Sequence, residues 1–296
     1  MHIPVLLKET VKGLQIQKND KVVDATLGGG GFSKSISDIF GKEISIIGLD
    51  ADEDAVKRAE KVLSDAATDF TLEIANFADI KDVLDRLGVD EVDKVAFDLG
   101  LSSFQIDDSG RGFTFRNDEP LGMNFSKVIS SDDVNAEEIV NNWSEDVLKT
   151  VISAYGEERF AGRISKGIVT ARKIEPLKTT FDLVRVIEKS VPKGYLNRRT
   201  HPATKTFQAI RMAVNDEMTS LENGLKGSFE KLSSGGRMSV ISFHSLEDRF
   251  VKRFFLSKEK EMLAKRITKK PIKPEREEIL SNRRSRSAKL RVLEKN

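Results

Sequence analysis

Residues 21–33 read KVVDATLGGGGFS, a short apolar run that ends in four consecutive glycines and continues into a helical pattern. An apolar run of this length suits a buried parallel strand. Glycines at its end let the backbone approach a ligand closely, and the following helix offers free N–H groups and a positive dipole end. The same rhythm extends outward. Helical spacing covers 32–40, a second strand 43–50 (EISIIGLD), a helix with acids in its first turn 52–66, a strand 70–76, a helix 79–87 and a fourth strand 93–99 (DKVAFDL). Strands separated by helix-length segments predict an α/β fold, a doubly wound and mostly parallel sheet with right-handed crossovers. In such a sheet a nucleotide-type cofactor binds at the switch point, and Asp50, closing the second strand about twenty residues after the glycines, is placed to accept ribose hydroxyls. The glycines alone would also fit a plain tight turn.

The kind of cofactor follows from the third position of the loop. A dinucleotide fingerprint needs G-x-G-x-x-G, and here Gly28 and Gly30 are followed by Ser33, which disfavours an NAD-dependent oxidoreductase. Asp24 would repel a pyrophosphate but suits a cationic amino acid. S-adenosylmethionine carries an ammonium, a sulfonium and a ribose with no phosphate, so it is the expected cofactor.

After Leu99 the rhythm breaks. Residues 100–131 are rich in Gly, Ser, Asp and Asn and predict a long functional loop, and 132–188 are helical in pattern. A helix over 203–225, a strand over 237–243, a helix over 246–258 and an antiparallel pair near 266–272 and 288–293 complete the chain. The expected organisation is a doubly wound α/β domain from 1–103 and 201–296, with an inserted loop and helical subdomain at 104–200.

The 296 residues contain no cysteine, which excludes disulfides and thiolate chemistry, and the three histidines (His2, His201, His244) are too scattered for a histidine-rich metal site. No apolar run spans a bilayer and the N-terminal stretch lacks the features of a secretory leader, so the expectation is a cytoplasmic protein with no membrane partner. The net charge of +2 is unevenly spread. Residues 258–296 hold 14 Lys and Arg against 6 Asp and Glu, which leaves −6 on the other 257; residues 189–215 hold six basic side chains and no acid. Such patches suit a polyanion, with a solvated basic tail as the plainer alternative.

Longer motifs carry a resemblance. HIPVLLKETV (2–11), DATLGGGGFS (24–33), DLGLSSFQIDDSGRGFTF (98–115), YGEERFAGRI (155–164), HPATKTFQAIRMAVNDE (201–217), GGRMSVISFHSLEDRFVKRFF (235–255) and RSRSAKLRVLEK (284–295) resemble, nearly end to end, the bacterial 16S ribosomal RNA cytosine-N4 methyltransferases. The resemblance implies a class I (Rossmann-like) S-adenosylmethionine-dependent methyltransferase fold, a cytosine of the decoding region as target, and 16S rRNA in the small ribosomal subunit or its precursor as partner. Self-association into a homodimer is left open. By position it implies cofactor contacts at Gly30, Gly31, Phe32, Asp50, Phe77, Asp98 and Gln105. Phe77 would lie against the adenine; a core aromatic is the alternative.

For catalysis, cytosine N4 is a poor nucleophile, so the site must accept hydrogen bonds from the amino group and lead a proton away. Asp98 is the first candidate, with Ser242 and His244 after the fifth strand as the second group; His244 as a structural hydrogen-bonder beside a Ser245 helix cap is the alternative. His201, Lys205 and Arg211, with Arg284 and Arg286 in the 283–291 cluster, are the candidate RNA contacts. The chain departs from the family pattern at Phe32 (usually His), Phe104 (usually Pro) and PLGMNF (120–125), where an acid and a base are missing at Gly122 and Asn124. Those departures motivate a second reading, a non-catalytic or weakly active small-subunit assembly factor.

Overall fold

The computed structural model describes residues 4–126 and 134–296. Its sheet has seven strands: β1 (Lys21–Asp24), β2 (Ser45–Asp50), β3 (Asp69–Ile74), β4 (Val92–Asp98), β5 (Leu232–Ser242), β6 (Ala264–Arg266) and β7 (Lys289–Lys295). Their order is β3-β2-β1-β4-β5-β7-β6; β1 to β5 run parallel, and β7 pairs antiparallel with both neighbours. This is the class I methyltransferase arrangement. The order reverses between β1 and β4, which opens the crevice at their carboxyl ends.

The burial of β1 explains why it sits centrally. Val22, Ile46 and Ala96 point to one face and pack with Leu14, Ile36 and Ile44. Val23, Ile47, Val95 and Phe97 point to the other and pack with Ile80, Leu84, Leu225, Val240 and Phe255. A strand apolar on both sides needs cover on both faces, and helices Gly31–Phe40, Ile80–Arg86, Glu217–Lys231 and Ser245–Lys260 contribute to it. The helix Glu53–Leu63 starts where Asp52 accepts from Asp54 N, with Glu53 and Asp54 complementing the dipole.

The chain folds as two compact units, one of Met1–Gly100 with Met218–Asn296, which holds the sheet, and a second of Leu101–Glu217. The second is helical: Ala136–Asn142, Glu145–Ala154, Ala161–Arg172, Thr180–Ser190, Lys193–Leu196 and Thr204–Val214 enclose Ile139, Leu148, Ile152, Ile164, Leu183, Ile187 and Ile210. Side-chain caps start three of these helices, from Asn135, Ser144 and Thr179. Among the described residues no helix is long and apolar enough to cross a membrane.

Several boundaries differ from the periodicity reading. The expected helix over 203–225 is two helices, Thr204–Val214 and Glu217–Lys231, because Asp216 turns to a positive φ of 42° while apolar spacing continues across the break. The helix Leu7–Leu14 has no counterpart in that reading: Leu6 precedes it at φ 50° and offers no side-chain cap, so the usual start signal is missing. Residues 100–131 include a short helix, Ser103–Asp107, under a Ser102–Gln105 capping box. Part of that expected loop and the start of the 132–188 stretch fall on residues 127–133, outside the described residues.

Within the sheet unit the helix Glu217–Lys231 packs tightly at Gly224, where a Cβ would lie 2.7 Å from the Phe77 ring and 3.0 Å from its carbonyl. Gly224→Ala gains about 1 kcal/mol of helix propensity, but overpacking costs about 1–3 kcal/mol. The urea midpoint of the variant is therefore expected to fall; an unchanged or higher midpoint would show that Phe77 yields freely.

Candidate active site

Three carboxylates gather at the carboxyl edge of β1, β2 and β4. Asp24 ends β1 and is buried, where it accepts from the Ser33 hydroxyl at 2.7 Å. Asp50 ends β2; its Oδ2 accepts from Gly28 N at 2.8 Å and its Oδ1 from Asp52 N at 2.9 Å. Each oxygen keeps a further lone pair, so Asp50 can still accept from ribose hydroxyls. Asp98 ends β4. Its backbone N–H donates to Thr26 Oγ1 at 2.7 Å, which ties the ends of β1 and β4 together.

The Asp98 carboxyl stands apart from the other two. The residue is half-buried, yet its Oδ1 is enclosed and has no hydrogen-bond partner. Desolvation pushes its pKa up to about 8, helped by the charges of Asp24 and Glu247. Burial likewise pushes Asp24 up to about 6, against the lowering by its Ser33 hydrogen bond, and raises Asp50. Clustered, desolvated carboxylates of this kind favour a cation among them.

The glycine loop supplies the opposite polarity. Gly30 takes φ +78° as the residue before the helix Gly31–Phe40, and a Cβ there would come within 3.1–3.2 Å of Ala59. Only glycine fits both requirements. Gly31 opens the helix at the carboxyl end of β1, and no side chain caps its first N–H groups. Phe32 packs beside Ile36 and Ile46, and Ser33 is spent on Asp24. A positive helix end beside carboxylates fits a zwitterionic ligand with a ribose.

At the end of β5 the arrangement differs from the expected one. Ser242 is buried, and its hydroxyl donates, at 3.4 Å, to the Lys289 carbonyl across the β5–β7 pair. His244, and not Ser245, caps the next helix: its Nδ1 accepts from Glu247 N at 3.3 Å, while Glu247 accepts from the N–H groups of Phe243 and His244. An accepting Nδ1 places the ring proton on Nε2. Nε2 lies 2.9 Å from Glu247 Oε1 but off the line of a hydrogen bond, so this buried donor is unsatisfied.

The remaining candidates sit as follows. Phe77 packs edge-on against Phe97 at 5.6 Å, in core contact. Gln105, in the second unit, is buried and spends its Oε1 on Ser102 N. In that unit His201 stacks on Phe115 at 4.7 Å, Lys205 donates to the Glu157 carbonyl, and Arg211 is held in a two-point pair by Glu217 at 2.6 and 2.8 Å. In the sheet unit Arg284 and Arg286 lie in the turn Arg283–Ser287; Arg286 is exposed and Arg284 half-buried. The altered loop is closed by other means. Arg111 donates to the Phe125 carbonyl at 2.7 Å, and Asn215 clasps Phe125 N and the Met123 carbonyl, both at 2.8 Å.

The model of the MraW methylase family matches residues 1–296. The chain belongs to that family. The ribosomal RNA small subunit methyltransferase H of Carboxydothermus hydrogenoformans is 44% identical over 99% of this chain and 97% of its own. Those of Symbiobacterium thermophilum and Clostridium botulinum are each 41% identical, over 99% of this chain and 96% and 98% of theirs. Among solved structures, a putative rRNA-methylase from Clostridium thermocellum aligns over all of both chains at 14% identity and a TM-score of 0.49. At that level the strand order carries the fold and the likeness adds nothing to it. As a methylase of the MraW family, the protein depends on S-adenosylmethionine.

Sequence reasoning singles out Asp98 and Asp50. It leaves Thr26 and Glu247 unassigned, although Thr26 lies inside the DATLGGGGFS motif and Glu247 three residues after His244 is a capping-box spacing. Since the Asp98 carboxyl is protonated more readily when folded than when unfolded, it binds an extra proton between about pH 4 and 8, so its contribution to stability falls as pH rises through that window. Asp98→Asn removes this cost. In urea titrations of the ligand-free protein, the variant is expected to gain on wild type from pH 5 to pH 8.5; a gap that does not change with pH would contradict the burial of this charge.

Proposed function

We propose that this methylase transfers the methyl group of S-adenosylmethionine to N4 of a cytosine in the decoding region of 16S rRNA, within the small ribosomal subunit or its precursor. The observation that carries the reading is the enclosed, unpartnered Asp98 Oδ1 at the end of β4, opposite the glycine loop. The names of the 40–44% identical relatives, small-subunit ribosomal RNA methyltransferases, support the substrate class.

When bound, S-adenosylmethionine supplies an electrophilic methyl on sulfur and leaves as a neutral thioether. The chain's residues do the positioning. Asp50 takes the ribose, Gly30, whose own N–H is spent on the Leu27 carbonyl, lets the loop backbone approach the donor, and the Gly31 N–H at the helix start faces the donor's anionic end. Asp24 and Asp98 face the cationic end, and a cation there returns Asp98 to its ionised form. Ionised Asp98 then accepts a hydrogen bond from the cytosine amino group, drawing N4 towards tetrahedral geometry; as the N–C bond forms and the methyl–sulfur bond breaks, the amino proton passes to Asp98 and from there to solvent. His244, with its proton on Nε2, serves as a hydrogen-bond donor to the base rather than as a base itself. Ser242 holds β5 against β7. Phe77 backs the adenine pocket from the core, and Phe32 completes the donor's surroundings within the sheet unit. Exposed Arg286, with Arg284 and His201, meets the RNA; Lys205 and Arg211 order their own unit through the Glu157 carbonyl and Glu217.

Two measurements check this. Incubation with labelled donor and small subunits lacking the modification is expected to yield N4-methylcytidine on nucleoside analysis. Subunit binding without transfer would favour the assembly-factor reading. Because the donor's cation displaces a proton from Asp98, donor affinity is expected to rise from pH 6 to pH 8 with proton release visible as buffer-dependent calorimetric heat. Affinity flat across that range would contradict the role of Asp98.

A further inference from the structure

Of the expected RNA contacts that fall in the helical unit, His201, Lys205 and Arg211, the last two are held by protein groups, the Glu157 carbonyl and Glu217. Another set of cations in the same unit is arranged for contact with a partner. Phe160 and Tyr195 meet edge to face, with ring centroids 4.9 Å apart. Beneath them the buried carboxylate of Glu158 accepts from the Tyr195 hydroxyl at 2.6 Å and from Phe160 N at 2.8 Å, which fixes the base of the platform. Three guanidinium groups lie on these rings. Arg159 sits 4.6 Å from the Phe160 centroid and 5.1 Å from that of Tyr195, Arg163 is 5.8 Å from Phe160, and Arg198 is 4.8 Å from Tyr195. All three arginines are exposed, and their helix and turn neighbours Lys166, Lys193 and Arg199 are exposed too.

A guanidinium lying against a ring has one face covered while its five N–H donors point outward in the plane. The ring also holds the long side chain in place, so less freedom is lost when an oxyanion arrives. Glu158, the carboxylate bonded to the platform, is turned inward, and the helix Ala161–Arg172 contains no acid at all. We propose that Arg159, Arg163 and Arg198 form a phosphodiester-binding platform that grips the backbone of the substrate RNA. The assignment rests on the RNA reading above and adds to it where the helical unit holds the strand. The partner is a polyphosphate chain rather than an isolated anion, because the three donors are spread over two rings.

The test uses the full chain, a single-stranded polyuridylate oligomer and small-subunit rRNA, with affinity measured against salt. The slope for single strands is about 0.7 per phosphate contact, so Arg159→Gln/Arg163→Gln/Arg198→Gln is expected to lower it by about 2, equivalent to roughly a hundredfold weaker binding at 0.1 M salt. Donor affinity and urea midpoint are expected to stay at wild-type values. The triple lysine variant, which keeps the charge and loses the stacked fork, is expected to recover most of the slope. An unchanged slope in the glutamine variant overturns the proposal even if methylation of rRNA is demonstrated. A lowered slope with no methyl transfer to any rRNA leaves the platform standing and defeats the functional reading. Equal loss of binding to polyglutamate would assign the surface to an acidic protein and overturn it as well.

Discussion

The structure turns on one electrostatic constraint: carboxylates brought together at the ends of β1, β2 and β4, where burial disfavours their charge. Asp24 is calmed by the Ser33 hydroxyl and Asp50 by two backbone N–H groups, whereas Asp98 is left with an oxygen that nothing in its surroundings satisfies. A fold does not retain such a group for stability, since an unpaired buried acceptor is costly. Much of the local architecture serves to hold it there. Thr26 locks the β4 end to the β1 end, Gly30 lets the loop pass Ala59, and Gly28 supplies the N–H that orients Asp50.

Most of the sheet unit is legible in the sequence because its determinants are local. Runs such as VVD and SIIGLD are apolar on both faces of a strand, the glycines mark the turn, and Asp50 falls at the second strand's end. What stays hidden depends on partners distant in sequence. The break at Asp216 interrupts an unbroken apolar pattern, and the helix Leu7–Leu14 has no capping side chain to announce it. The same holds at the candidate site. That Ser242 spends its hydroxyl on Lys289, 47 residues on, cannot be seen from SFHSLE. Charge counting finds the basic stretch at 189–215 but cannot say that Arg211 is claimed by Glu217 while Arg198 lies open on Tyr195.

The departures in the PLGMNF segment have a structural counterpart. Arg111 and Asn215 close that segment through backbone carbonyls and one amide, so its order does not require a charged pair at 122 and 124. A Cβ on Gly122 would lie 3.2 Å from the Arg111 carbonyl, so the missing acid could return only if that carbonyl moved. The segment reads as a rebuilt closure rather than a decayed one, which keeps the catalytic reading ahead of the assembly-factor reading.

The claim at the centre is that this carboxylate cluster holds the positive amino-acid end of the methyl donor. The most direct measurement compares calorimetric affinities for S-adenosylmethionine and for its analogue lacking the α-amino group. The deaminated analogue is expected to bind at least tenfold more weakly to the wild type, and Asp98→Asn is expected to narrow the difference. Equal affinities for the two compounds would contradict the claim.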